Sequence, residues 1–326
     1  DSTATLNLTI NSSSTSTSTV VACDSYTWND STYTQSGVYS YTGGGSSNDY
    51  HSMNFDGNSA VMISNNFNLT NQNGISFQFW AKSAWNQTPT GTGQEEVMIN
   101  FGHFNGYNAE FRYLFTRTGN LLDARCEGLG FSVGGTASVD VSSLNISDNE
   151  WINIAGVYNI NGTIELYING VNVSNDSFVL SGNSIGLTNG DKFIGNNASD
   201  RYLIGNMDNL ALWGKTLSQQ EILDYMSCPP NSDEQDLVSY WSFEDGSGSL
   251  VLDQTLNGNN GSLVNNAVWD TDIPFQSCQL YNVNGCDSTA TLNLTINNSS
   301  TSTSTVVECD TYTWNGTTYT SSGIYT

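Results

Sequence analysis

The stretch Trp151–Val171, "WINIAGVYNINGTIELYINGV", decides the fold class. Trp151–Tyr158 and Gly162–Val171 each alternate apolar and polar residues, which puts successive side chains on opposite faces of a strand. The Asn/Gly joint between them reads as a turn. Working outward, Ile75-Ser-Phe-Gln-Phe-Trp80 has the same period. From His51 to Tyr225 the chain is a succession of short alternating runs separated by Gly/Asn turns, the pattern of a two-sheet sandwich. One helix is expected: Ser218-Gln-Gln-Glu221 is a capping box, followed by Ile222, Leu223 and Met226 at helical spacing.

The 326 residues carry 31 acidic and 7 basic side chains, a net charge of -24. Nucleic acid and anionic membrane surfaces call for a cationic footprint, so nucleic acid is not expected as a partner and an anionic membrane surface is disfavoured. Every Lys and Arg lies between Lys82 and Lys215, and the flanks therefore read as a different kind of domain from the middle. No run of eighteen apolar residues is present, so no membrane span is expected. Asn, Ser, Thr and Gly dominate, with Tyr and Trp scattered among them, the composition of a secreted β-protein with a polar surface. Sequons at Asn29, Asn86, Asn161, Asn172, Asn197 and Asn315 are candidate glycosylation sites.

The chain repeats itself. Residues 1–40 and 287–326 align without a gap, and "TSTSTVVACDSYTWNDSTYTQSGVY" returns as "TSTSTVVECDTYTWNGTTYTSSGIY". Strand periodicity in Thr5–Ile10 and the Asn315-Gly316 pair, suited to a type I′ hairpin, make each repeat a small β-unit. On this reading residues 1–10 close a preceding unit, and 11–48 plus 279–297 form a discontinuous one. Residues 298–326 begin the next, and the chain is one period of something longer. Residues 49–227 then form a sandwich inserted in a loop of the small host, which loop-closure entropy tolerates. The unit boundaries assign Cys23 to Cys286, a disulfide stapling the host around its guest. Cys228 and Cys278 form the natural second pair, closing a segment 228–278. Cys126 is left over, either a buried inert thiol or a reactive one.

Several segments resemble a known family. "MNFDGNSAVMI" (53–63), "GISFQFWAK" (74–82), "EWINIAGVY" (150–158), "GTIELYINGVNV" (162–173) and "LIGNMDNLALWGKTLSQQEI" (203–222) look like a laminin-G-like, concanavalin A-like jelly roll. "LVSYWSFEDGSGSLVLDQTLNGNNGSLVNNAVW" (237–269) resembles a segment that in this family often precedes the sandwich. Here it either completes the jelly roll or forms an appended β-unit. The flanking repeats resemble Ig-like tandem units of giant cell-surface proteins of Bacteroidetes, including adhesins. The fold class that follows is all-β: a concanavalin A-like jelly-roll β-sandwich inserted into a small Ig-like repeat.

The resemblance implies an extracellular, cell-surface protein that binds sugar or adheres, often with structural calcium. Asp56 and Asp208, helped by Asn58, occupy the positions where such sandwiches often hold the ion, and calcium needs six to eight hard oxygen ligands. A weaker candidate is the loop of Asp253, Asn257, Asn259 and Asn260. For glycans, which stack on aromatic faces, Trp85, His103, Tyr107 and Tyr113 stand in or near the polar stretch 83–113. Trp80 and Trp151, inside strand patterns, are expected in the core. Catalysis has little support: there are two histidines, and the adjacent Glu95 and Glu96 would face opposite sides of a strand, unlike a glycosidase carboxylate pair. Two roles remain open. One is an adhesin module whose lectin-like head binds a polysaccharide or cell-surface glycan. The other is a glycosylated building block of a fibre, with identical units joined head to tail in one chain or as filament subunits.

Overall fold

The computed structural model describes residues 14–28, 31–41, 50–63, 69–89, 94–102, 112–128, 131–182, 185–187, 192–196, 201–265, 267–276, 288–297 and 303–325. They fall into two compact units, one within 14–16 and 42–289 and one within 17–41 and 290–326.

The larger unit is a sandwich of two antiparallel sheets. The strand Gly74–Ser83 shows the logic: Ile75, Phe77, Phe79 and Ala81 are buried in the shared core, while Ser76, Gln78, Trp80 and Lys82 point to the opposite face. Across the first sheet the order is Gly135–Asp140, Leu121–Glu127, Arg112–Thr118, Glu95–Phe101, Lys192–Ile194, Ala60–Ile63, Gly261–Val264, Leu250–Val251. Across the second it is Val171–Ser177, Thr163–Ile168, Trp151–Asn159, Gly74–Ser83, Ile204–Trp213, Ser52–Asp56, Val268–Asp270. Trp151–Asn159 and Thr163–Ile168 pair as the hairpin their alternation predicts.

Aromatic edge-to-face contacts join the sheets, with Phe77 5.5 Å from Phe101 and 5.6 Å from Phe115, and Phe79 5.2 Å from Phe115. Gly156 makes room for this: a Cβ there would lie 2.5 Å from the Phe115 ring.

The segment 228–278 corrects the idea of an appended unit. Leu237–Trp241 pairs with Ile204–Trp213, Gly261–Val264 with Ala60–Ile63, and Val268–Asp270 with Ser52–Asp56. It thus supplies strands to both sheets and buries Trp241, Phe243 and Val251 in their core. Covering the edges of Ala60–Ile63 and Ser52–Asp56 is the physical reason, since an unpaired edge leaves a row of exposed backbone groups.

The helix Gln219–Ser227 starts at Ser218 with the capping box complete. It lies on the outer face of the second sheet, where Ile222 packs among Ala155, Val157, Ala211 and Trp213, and Tyr225 stacks on Trp213 at 4.6 Å. It occupies one end of that face. The other end carries the site described below.

In the smaller unit the strand Ser288–Asn297 lies between Ser14–Cys23 and Gly37–Tyr41. Its register with the latter runs antiparallel from Ala290 opposite Tyr41 to Leu294 opposite Gly37. Leu292 and Leu294 are the buried residues of this strand. The hairpin Tyr26–Trp28 and Ser31–Tyr33 follows the first strand, and its repeat, Tyr312–Trp314 and Thr317–Tyr319, turns through Asn315 and Gly316 at φ 49° and 78°, as a type I′ turn requires.

The Cys23–Cys286 staple is not formed: Cys23 is exposed and free. Strand geometry explains this. The backbone N–H of Asp24 donates to Asn297 O (3.1 Å), so Cys23 adjoins the last residue of Ser288–Asn297, whereas Cys286 precedes its first. That strand spans about 30 Å and the two residues linking Cys286 to Ser288 reach about 7 Å, while a disulfide needs Cα atoms within about 7 Å. Cys228 is disulfide-bonded. Cys278 and Cys286 lie outside the described residues.

Candidate functional site

Five strands of the second sheet bring their outward residues into two rows. Register places Trp151 opposite Lys82, Lys82 opposite Asn206, and Asn206 opposite Asn54. In the neighbouring row Asn153 and Asp208 flank Trp80, and Ser52 faces Asp270. Trp80 and Trp151 are diagonal neighbours, about 7–8 Å apart by strand geometry. Both are half-buried, so each indole keeps part of its surface in water.

A continuous hydrogen-bond network supports the rows. Asn54 Nδ2 donates to Asn206 Oδ1 (3.0 Å), and Asn206 Nδ2 donates to Ser52 Oγ and Asp270 Oδ2, each at 3.0 Å. After Asp270 the chain turns sharply, because the Asp270 carboxylate accepts from the backbone N–H of Thr271 (2.7 Å) and Asp272 (3.2 Å). The Asn206 amide and these backbone donors hold the Asp270 carboxyl below the usual carboxylate range. The turn brings Asp272 over the first row, where it accepts from Trp151 Nε1 (3.0 Å) and pairs with Lys82. Deeper in, Gln78 Nε2 donates to Asn153 Oδ1 at 2.9 Å and to the helix carbonyl of Ile222 at 2.7 Å. The Trp151 indole, oriented by Asp272, and the neighbouring Trp80 thus border a floor of amides and carboxylates. Such a surface can stack an apolar ring face and hydrogen-bond hydroxyl groups in one shallow site.

The outer face of the first sheet is different in kind. Arg125 is held by Asp123 (2.6 Å) and Glu95 (3.3 Å), and Glu95 also takes Arg201 at 2.8 Å. Arg112 bonds Asn100 (3.1 Å) and Glu127. These cations are committed to acidic neighbours, and the ring that shares this face, Phe193 opposite Asn100, is almost wholly buried. A polar cleft of about 440 Å³ near Gly214, lined in part by Asp236, Asn257 and Asn259, also has no aromatic wall.

The expected sugar platform is therefore corrected. Trp85 is fully buried, its Nε1 donates to Glu150 O at 2.7 Å, and the Arg117 guanidinium lies 5.9 Å over its ring. Arg117 is itself buried and paired with buried Glu96 at 2.9 Å, and it also donates to the carbonyls of Ala84, Trp85 and Gln87. Tyr113 is fully buried, and its hydroxyl donates to Gly186 O at 2.7 Å. Both rings belong to the interior because fixed partners satisfy their polar ends. His103 and Tyr107 lie outside the described residues.

The expected calcium ligands do not converge. Asp56 is opposite Ile204, four residues along the strand from Asp208, a separation of about 13 Å. Asp208 is fully buried and accepts from the N–H of Asn209, while Asp56 is exposed and accepts from the N–H of Asn58. Asp253 accepts from Tyr240 N, Thr255 N, Thr255 Oγ1 and Asn259 N, which makes it the centre of a self-contained turn. Among the described residues no group of three or more His, Cys, Asp or Glu could hold a metal. These residues do not fit a shared ion.

Of the sequons, Asn161 and Asn315 are exposed. Asn86 donates its amide to Ile146 O and Asn172 donates to Asn175. Asn29 and Asn197 lie outside the described residues. Trp80 and Trp151 were expected in the core, yet they are the site's aromatic elements. Their parity gave the signal, because Trp80 shares it with Ser76, Gln78 and Lys82, and Trp151 with Asn153.

A family model for the concanavalin A-like lectin/glucanases superfamily, of laminin-G type, matches residues 55–223, just over half of the chain. The chain belongs to this superfamily. Among solved structures, a Bacteroides ovatus protein described as a "putative carbohydrate binding protein" shares 14% identity over 70% of this chain and 61% of its own, with a TM-score of 0.51. The chain thus spans about three-fifths of that protein's length. A heptameric pentraxin from Limulus polyphemus is 12% identical over 74% of this chain and 97% of its own, TM-score 0.43. Domain 4 of the extracellular GH43 arabinanase AbnA of Geobacillus stearothermophilus, solved with arabinotriose, is 20% identical over 53% and 75%, TM-score 0.37. No curated protein matches. The likeness to the Bacteroides ovatus structure is one of fold. Among the described residues no helix is long and apolar enough to cross a membrane.

Proposed function

We propose that this chain is a glycan-binding module of an extracellular, cell-surface adhesin, and that its ligand is a neutral polysaccharide laid across Trp80 and Trp151. The observation that carries this reading is the pairing of two half-buried indoles with the Asn54–Asn206–Asp270 network and the Asp272 cap. Sugars present an apolar face to an aromatic ring and hydroxyls to amides and carboxylates, and this surface offers both. The acidic excess of the chain favours a neutral over an anionic glycan. The description of the Bacteroides ovatus neighbour as a carbohydrate binder supports the same reading.

The test is a glycan array probed with the whole chain, with and without calcium, beside Trp151→Ala. Binding that Trp151→Ala weakens roughly tenfold is the expected result. Equal binding by the variant would move the site elsewhere, and a calcium requirement would point to an ion held by residues other than Asp56 and Asp208.

A second reading is favoured by the near-identity of residues 17–39 and 303–325. In it the chain is a glycosylated building block of a fibre of identical units joined head to tail. Rods of regular period in electron micrographs, together with silence on the array, would select it.

A further inference from the structure

We infer that Phe275 is a third aromatic contact of the candidate site, and that the site takes a linear neutral glycan of several sugar units rather than a single sugar. This rests on the glycan reading above and adds to it the residue that sets the length of chain bound.

The segment after the strand Val268–Asp270 is a strap fixed at three points. At its start the Asp270 carboxylate takes Asn206 Nδ2 and the backbone N–H groups of Thr271 and Asp272. Two residues on, the Asp272 carboxylate accepts from Trp151 Nε1 and pairs with Lys82, and its carbonyl accepts from Ser52 Oγ at 2.7 Å. At the far end Gln276 Oε1 accepts from Asn209 Nδ2 at 3.0 Å, and Gln276 Nε2 donates to Met226 O, in the last turn of the helix, at 3.1 Å. The Asn209 amide is itself held, because its Oδ1 accepts from the Tyr240 hydroxyl.

The strap runs from one indole to the neighbourhood of the other. It is tied to Trp151 through Asp272, and to Asn209 through Gln276; Asn209 follows Asp208, which lies opposite Trp80. Burial alternates along it. Asp272 turns down to Trp151, Pro274 and Gln276 are buried, and Phe275 is 88% exposed. In extended chain successive side chains point to opposite sides, so Phe275 stands on the solvent side of the strap. Three residues of chain reach at most about 11 Å, which bounds its backbone distance from Asp272.

Among the described aromatic side chains Phe275 is the most exposed, with Tyr50 next at 63%. Single exposed apolar residues are ordinary on a protein surface. This one differs in its setting: both neighbours in the chain are buried, and the backbone beneath it is pinned on either side. The ring is thus presented on chain that is already ordered, which lowers the entropy cost of stacking a ligand on it. A phenyl ring accepts the apolar face of a sugar and forms no conventional hydrogen bond to its hydroxyls. It therefore adds length rather than hydroxyl configuration to what the site selects, and a ligand touching both Trp151 and Phe275 must span more than one sugar unit.

Isothermal titration of the whole chain with cello-, xylo- and manno-oligosaccharides of one to six units tests this, beside Phe275→Ala, Phe275→Trp and Trp151→Ala. In the wild type, affinity should rise with length and level off once the oligomer spans both rings. Phe275→Ala should lose about fivefold on the longest oligomers and nothing on the shortest, and Phe275→Trp should restore the loss. Both Phe275 variants should melt with the wild type, since the side chain is exposed, which separates a lost contact from a lost fold. If Phe275→Ala binds every length like the wild type while Trp151→Ala binds weakly, Phe275 is not a contact and the glycan reading stands. Equal loss at every length overturns the role in chain length. A wild type that binds none of the oligomers overturns the inference, and a silent glycan array as well overturns the glycan reading beneath it.

Discussion

Trp151 has two duties that one substitution separates. Its ring is a wall of the candidate site, and its Nε1 donates to Asp272. Trp151→Ala should weaken glycan binding roughly tenfold, about 1–2 kcal/mol, as isothermal titration would show. Asp272→Asn should keep the fold and cost less, since it loosens the orientation of the indole without deleting it. The buried pair of Glu96 and Arg117 supplies a second expectation. Burial outweighs the Arg117 guanidinium and raises the Glu96 carboxyl above its ordinary value of 4.5. A raised folded-state value means the folded chain holds this proton more tightly than the unfolded chain. That contribution to stability is full below pH 4.5 and is lost as the pH rises through the raised value. The stability advantage of the wild type over Glu96→Gln, followed by urea titration, should therefore shrink from pH 4 to pH 7. An advantage that grows would show the guanidinium, not burial, in command. Cys126 is buried, and burial pushes its thiol up to about 12. Peptide mapping after alkylation should find Cys126 protected in the native chain and modified only on unfolding, while exposed Cys23 and Cys309 react at once.

At the scale of the element, alternation made the sandwich legible. The parity of Ile75, Phe77 and Phe79 against Ser76, Gln78 and Lys82 identifies both faces of one strand without any structure. The capping box at Ser218 and the Asn315-Gly316 turn are local chemistry, and both stand as the sequence predicts. Polar surroundings misled for Trp85, because what buries it comes from elsewhere: Glu150 takes its N–H, and Arg117 covers its ring. The site itself was illegible for the same reason. Trp80, Trp151, Asn206 and Asp272 meet through the register of strands far apart in sequence, and a single sequence does not contain that register. Two substitutions probe the elements. Gly156→Ala places a Cβ against the Phe115 ring and should cost about 1–3 kcal/mol, read as a lower urea midpoint. Ser218→Ala removes the cap of the helix and should cost about 1 kcal/mol.

For the whole molecule, the repeat announced a small unit interrupted by a large one, and the central sheet of Ser14–Cys23, Ser288–Asn297 and Gly37–Tyr41 joins segments from both sides of the sandwich sequence. The expected sulfur staple is absent at Cys23, so hydrogen bonds and the buried Leu292 and Leu294 hold that sheet. That join has a consequence for biosynthesis. The strands Ser14–Cys23 and Gly37–Tyr41 leave the ribosome before the sandwich is made, and their central partner leaves after it. Tyr41 and Ala290, where the chain departs and returns, sit opposite each other, so the sheet can close only after the intervening polypeptide has been synthesised. Chains that stop before Ser288 should therefore keep Ser14–Cys23 and Gly37–Tyr41 but lack the strand that joins them.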